Sequence, residues 1–391
     1  MIYSCVVGGT GILAIAQAVS EAGWIGLFFL CLSACMSHFT GIVLIQCLYY
    51  NGHNSRRLKD YSDIGHVAFG RTGQIIGWLI SQLFLILTPT IYITMASENI
   101  AEVLFEHGLV YLDKNMIVWL LLLVIGPPFV LVRNMKDVSL FSTFASICTV
   151  CLLLVVIAAS LSTSNVQVAY AEMPHVVAIP RKIPIAFSTF TFSFCGHVIY
   201  PHLEESMETP ERWPKVLLIA TLVVGIMYLL IGTVGYFIFG PYVQTPIYKS
   251  LTNGHLRYLA MMVITLHVIF AIPFYLYVFT IKIESWLGIQ FAQLKLKQYT
   301  RYMVRVVELV FCGAVSMLIP QFSTLMAVVG TVLADTLSFV LPTVFWIKLN
   351  WHLQPSYSTM GLCIILGFIG IVCAVIGSID AVDSFMKDYH A

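Results

Sequence analysis

Charge is what this chain has least of. Of its 391 residues only 10% are Asp, Glu, Lys or Arg, against 59% hydrophobic. A soluble domain of this size carries about a quarter charged residues to cover its surface. The mean hydropathy, +0.90, lies far on the apolar side, so one large soluble core is excluded. The net charge of +1 offers no electrostatic footing for a nucleic-acid partner. Cysteines in long loops are also missing. All ten (Cys5, Cys31, Cys35, Cys47, Cys148, Cys151, Cys195, Cys312, Cys363 and Cys373) fall in apolar segments, which excludes a disulfide framework and a large secreted ectodomain. The C-x-x-C at Cys148 and Cys151 sits mid-run and reads as packing. No H-E-x-x-H zinc motif occurs, and His202-Leu203-Glu204-Glu205 offers only one histidine. Neither an enzyme nor a metal or other cofactor is expected, and no filter-like repeat points to a channel. The first twenty residues lack the basic start of a signal peptide and are followed by further apolar runs, so they read as a first membrane helix.

Those runs are what the chain has in abundance. A bilayer core takes about 20 apolar residues per helix. Eleven spans are expected, at 1–19, 24–50, 74–100, 116–132, 139–161, 183–206, 214–239, 256–284, 304–319, 323–346 and 358–379. The fold class is therefore an all-α polytopic membrane protein embedded in the lipid bilayer, with one transmembrane domain over 1–391. With the N-terminus cytoplasmic, fourteen of the 20 lysines and arginines lie on the inside and six on the outside, as the positive-inside rule requires. The stretch 286–303 reads either as a short helix on the cytoplasmic surface or as a solvated basic loop.

Two spans are interrupted. Gly8-Gly9-Thr10-Gly11 places three glycines in four residues of span 1, each costing a helix about 1 kcal/mol relative to alanine. If span 1 unwinds there, the half-helix from Ile12 presents free N–H groups and a positive dipole end to a carboxylate. Close packing of small residues is the alternative use of such a motif. Ser193-Phe194-Cys195-Gly196-His197, with Pro201 after it, interrupts span 6. Span 1 opens the first five spans and span 6 the next five. Breaks at corresponding positions of two halves mark the binding site of an inverted-repeat carrier. The expected repeats are 1–161 and 183–346, with 358–379 as an extra helix.

The motifs carry a resemblance. Gly8-Gly9-Thr10-Gly11-Ile12-Leu13, the exit at Ala22-Gly23-Trp24, and the loop Tyr61-Ser62-Asp63-Ile64-Gly65-His66-Val67-Ala68-Phe69-Gly70 resemble the amino acid/auxin permease family. Phe194-Cys195-Gly196-His197-Val198-Ile199-Tyr200-Pro201, followed by Met207, Pro210 and Trp213-Pro214-Lys215-Val216, is similar to its vesicular and vacuolar branch. The resemblance covers nearly the whole chain, and the span 6 stretch is its most specific part. It implies the amino acid–polyamine–organocation (LeuT-like) fold and proton-coupled movement of amino acids, antiport included, across a vacuolar or vesicular membrane. Only seven residues precede Gly8, where the family usually has a half-helix and a hydrophilic tail. The expectation is a truncated chain or a late-assigned start, with consequences for the cytoplasmic gate.

On this reading the site alternates between the two sides of the membrane. The substrate carboxylate meets N–H groups at Gly8, Gly9, Thr10 and Gly11. The ammonium meets carbonyls around Phe192, Ser193 and Phe194, with Cys195 and Gly196 completing the break. Tyr92 in span 3 closes over the ligand, or merely packs. His197, His267, Asp335 and Glu308 are the candidates for coupling to protons, since ionisable groups at membrane depth are functional by default; a satisfied structural role is the alternative for each. His38 is expected to be a satisfied core histidine, and Glu98, Glu204 and Glu205 to lie in water near span ends. Span 8, Ile264-Thr265-Leu266-His267-Val268-Ile269-Phe270, lacks a Ser/Thr pair at helical spacing, which favours protons over sodium. The pocket's aromatics and its want of a fixed counter-charge favour neutral amino acids. An amino acid sensor on the same scaffold, with little flux, is the alternative.

Overall fold

The computed structural model describes residues 9, 11–50, 52, 57–108, 112–132, 135–162, 174–252, 254–288, 295–318, 326, 329–353 and 356–390. In chain order the helices are α1 (Ile12–Ala22), α2 (Ile25–Leu48), α3 (Tyr61–Glu106), α4 (Lys114–Leu131), α5 (Met135–Ser162), α6 (Ile183–Ser193), α7 (Tyr200–Glu205), α8 (Trp213–Phe239), α9 (His255–Trp286) and α10 (Lys295–Leu318). Two π-helical turns follow, Val329–Ala334 and Thr336–Val340, and then α11 (Leu341–Asn350) and α12 (Tyr357–His390). Among the described residues nine helical stretches are long and apolar enough to cross a membrane. The short α1 and the more charged α10 account for the other two expected spans. Large apolar side chains stay exposed on these helices, Leu123 at 70% and Phe368 at 67%. Water would penalise such a surface, whereas acyl chains solvate it.

The helices form two compact units, each drawing on both expected repeats. One comprises 1–9, 85–155 and 253–326; in it α4 packs on α9 and α10, which also touch each other. The other comprises 10–84, 156–252 and 327–391. There α1 packs on α2, α6 and α8, α2 also touches α6, α8 and α11, and α12 covers α6 and α11. Met36, Phe187, Phe339, Leu366 and Cys373 form a buried apolar cluster in this second unit.

The structure revises three local expectations. Residues 61–73, read as part of a loop, begin a helix whose dihedrals break at Phe69 (φ −134°, ψ 16°) and Gly70 (φ 66°, ψ −148°). The chain folds back there so tightly that a β-carbon on Gly65 would run into the Gly73 carbonyl, and one on Gly77 would lie 2.5 Å from the Tyr61 oxygen. The polar sequence suggested a loop, but small residues let two backbones touch. Span 10 is not a plain α-helix: π-turns flank Asp335 before α11 begins. In the 286–303 stretch, residues from Lys295 onward belong to α10; 289–294 lie outside the described residues.

Candidate functional site

Gly11 and the span 6 break meet inside one unit. Gly11 caps the start of α1 without a side-chain hydrogen bond. A β-carbon on it would fall 2.5 Å from the Tyr228 hydroxyl, 2.8 Å from the Ser193 β-carbon and 2.9 Å from the Ser193 α-carbon. Only glycine admits that approach. The first turn of α1 carries N–H groups that have no acceptor within the helix. Gly9 is buried; Gly8 and Thr10 lie outside the described residues.

In span 6, α6 stops at Ser193. The Phe194 N–H bonds back to Phe190 and Thr191, and the Cys195 N–H donates to the Phe192 carbonyl at 2.9 Å. A short turn over His197–Ile199 then leads into α7. Pro201 falls in the first turn of α7, where no N–H is needed, so residues 194–196 make the break and the proline does not. The released carbonyls are not bare. Tyr228 donates to Ser193 O at 2.8 Å, and Ser37 donates to Phe194 O at 3.1 Å. Each carbonyl oxygen keeps a second lone pair.

His197 is fully buried beside the break. Its Nε2 lies 2.9 Å from Oγ1 of Thr40, a hydroxyl also within bonding distance of the Met36 and Ser37 carbonyls. Its Nδ1 is buried with no hydrogen-bond partner among the described residues. Asp335 is also fully buried. It accepts from Ser188 at 2.9 Å and from Thr191, both on α6. Among the described residues no basic side chain forms a salt bridge with it. The carboxylate therefore ties the π-turns to the helix that ends at the break.

Tyr92, His267 and Glu308 belong to the other unit. Tyr92 is buried and packs edge-on to Tyr275, ring centres 5.6 Å apart. His267 Nδ1 bonds the Ala145 carbonyl at 2.8 Å and lies 2.9 Å from Thr149 Oγ1; its Nε2 is buried with no hydrogen-bond partner among the described residues. Thr280 donates to one oxygen of Glu308, and the other has no hydrogen-bond partner among the described residues.

Two charged residues read from the sequence as water-exposed are buried. Glu204, only 1% exposed, takes Arg57 at 2.6 Å and the Tyr49 hydroxyl at 2.6 Å; Glu98 pairs with Lys114, and Glu205 is exposed as expected. Arg305, one of the fourteen cations expected on the inside, is fully buried. It bonds Glu284 at 3.1 Å and the carbonyls of Phe129 and Val130 at 3.1 and 3.2 Å, and it also bonds Val132 O. It thus joins the Val132 N–H, which bonds the Phe129 carbonyl, at the C-terminal end of α4, and Glu284 also takes Arg301 at 3.0 Å. His38 is half-buried, and its Nδ1 has no hydrogen-bond partner among the described residues, not satisfied as expected. The residues that sequence reasoning missed are the hydroxyls at the break: Ser37 and Thr40 on α2, Ser188 and Thr191 on α6, and Tyr228 on α8. The first four were visible as pairs spaced i, i+3 in apolar helices. Among the described residues no cluster of three or more His, Cys, Asp or Glu could hold a metal ion.

A family model described as "Transmembrane amino acid transporter protein" matches residues 1–382. The Arabidopsis thaliana protein named amino acid transporter AVT1E is 26% identical over 384 residues, which cover 96% of this chain and 70% of the relative. AVT1C of the same plant is 26% identical over 388 residues, covering 97% and 68%. AVT1J is 24% identical over 383 residues, covering 96% and 87%.

Proposed function

Because the chain belongs to the transmembrane amino acid transporter family, we propose that it is a proton-coupled secondary carrier of neutral amino acids in a vacuolar or vesicular membrane, its N-terminus in the cytoplasm. It works by alternating access around the two breaks, with 1–161 and 183–346 as inverted repeats and 358–379 as the added helix. The observation that carries this reading is the contact of Gly11 with Ser193 and Tyr228. It sets a helix N-terminus beside released carbonyls, the pairing that a zwitterion needs. The substrate carboxylate takes the N–H groups at Gly9–Gly11, where the dipole favours negative charge. The ammonium takes the remaining lone pairs of the Phe192, Ser193 and Phe194 carbonyls.

Asp335 is the coupling group that this geometry favours. As a carboxylate it only accepts, and Ser188 and Thr191 of α6 both donate to it. A bound proton turns one oxygen into a donor, and one of those hydroxyls must then let go or reorient. The change falls on α6, the helix that ends at the break, so protonation and the position of the half-helix are linked. His197, on Thr40 of α2, is the second group placed to respond. Tyr92, His267 and Glu308 serve as the substrate-closing and coupling residues of the other unit.

The test is uptake of a labelled neutral amino acid mixture into proteoliposomes, with and without an imposed pH gradient. Saturable uptake that a protonophore collapses is the expected result. Saturable binding without flux under either condition would overturn it and make the chain an amino acid receptor on a transporter scaffold.

A further inference from the structure

The unit that holds the breaks also holds a cavity away from them, of about 420 Å³, within the roughly 300–1,000 Å³ of small-molecule sites. It is lined by Tyr49 and Tyr50 just past the end of α2, Glu204 of α7, Glu211 and Trp213 at the start of α8, and Trp346 of α11. Four aromatic residues and two carboxylates thus share one recess. Arg57 neutralises Glu204 at 2.6 Å. Glu211 is exposed and leaves the lining with one negative charge. The helix ends add to that sign. The cavity reaches the C-terminal ends of α2 and α11, which carry partial negative charge. The N-terminus of α8, opposite in sign, has Pro214 in its first turn, which removes one of the N–H groups an anion could use. A cation already sits against this wall: the Arg57 guanidinium lies 5.9 Å from the Tyr49 ring centre. The indole N–H of Trp213, a residue 3% exposed, has no hydrogen-bond partner among the described residues.

We propose that this cavity binds a small organic cation, an alkylammonium group of the choline type, between its aromatic walls and Glu211. Aromatic rings attract a desolvated ammonium through their quadrupoles, and methylated ammonium groups exploit this best because they shed water easily. The recess lies at helix ends rich in Trp and Tyr, the composition of a membrane–water interface. The same chemistry can therefore arrive as a free solute or as the headgroup of phosphatidylcholine.

The two sources separate experimentally. The intact protein is placed in nanodiscs of phosphatidylglycerol alone or of phosphatidylcholine, and tryptophan emission is followed as choline is added. Its uncharged isostere 3,3-dimethylbutan-1-ol is titrated in parallel. In phosphatidylglycerol discs choline should change the emission saturably, and the isostere should bind roughly fivefold more weakly or worse. Glu211→Gln and Tyr50→Ala should each weaken choline by roughly fivefold or more at an unchanged melting temperature. Equal choline binding in phosphatidylcholine discs identifies a soluble cation as the occupant; loss of choline binding there identifies the lipid headgroup. Absence of a saturable response in phosphatidylglycerol discs, an isostere as tight as choline, or unchanged binding in both variants would overturn the proposal. No transport is measured, so the outcome is independent of the carrier reading.

Discussion

Gly11 and Ser193 stand so close that a β-carbon on the glycine would lie 2.8 Å from the serine β-carbon and 2.9 Å from its α-carbon. The Tyr228 hydroxyl, which closes the same contact, is the end of a side chain and can move. The Ser193 backbone cannot move without shifting the end of α6.

Gly11→Val should therefore leave a protein that inserts in the membrane but transports poorly. Overpacking of a tight contact costs about 1–3 kcal/mol, enough for a loss of about tenfold or more in uptake if it falls on the substrate-bound state. Uptake per inserted molecule is the measurement. Wild-type flux in Gly11→Val would show that the contact is packing alone.

Asp335→Asn keeps the shape and one acceptor oxygen for Ser188 and Thr191 but removes the titrating group. Substrate exchange should persist at equal pH on both sides, while gradient-driven accumulation should vanish. Accumulation that still follows the pH gradient would move the coupling role to His197 or to the other unit.

Arg305 holds three carbonyls at the end of α4 together with Glu284. Arg305→Ala leaves Glu284 with Arg301 alone and takes the guanidinium donor from Val130 O, at a cost of about 1–3 kcal/mol. Arg305→Lys should not restore the loss, because a point ammonium cannot reproduce the guanidinium fork. Thermal midpoints of detergent-solubilised protein by size exclusion decide it: equal midpoints for wild type and Lys would contradict the assignment.

Gly70 lies at φ 66°, ψ −148°, a region only glycine occupies freely, so Gly70→Ala should destabilise by about 1–3 kcal/mol. Gly73→Leu should do more, since its β-carbon meets main-chain atoms of Gly65. Limited proteolysis near residues 61–73 should rise in both variants. Unchanged cleavage would mean that the hairpin is not what holds this segment.

Much of the architecture could be read from the chain because lipid leaves few choices. A backbone crossing hydrocarbon must satisfy its own hydrogen bonds, so each long apolar run becomes a helix. The glycines of span 1 and the Ser193–His197 stretch stood out as breaks for the same reason. The opening of α3 did not, because its polar residues look like a loop until Gly65, Gly73 and Gly77 are seen to touch main chain. The π-turns around Asp335 left no mark on the apolar pattern, which is the same for either helix.

By itself, then, the sequence determined that the chain is an all-helical membrane protein, where most of its spans lie and that span 6 is interrupted, since these follow from local apolarity and from glycine's freedom. Only the tertiary structure decided which partners the polar groups take. Arg305 and Glu204 are charges that hydropathy assigns to water, yet each is buried against partners far away in the chain. Asp335 meets its hydroxyls across the interface with α6, and Gly11 meets Ser193 across that with the same helix. Such pairings arise when helices pack, because a buried polar group must find a partner wherever the fold brings one, and no local pattern encodes which one that will be.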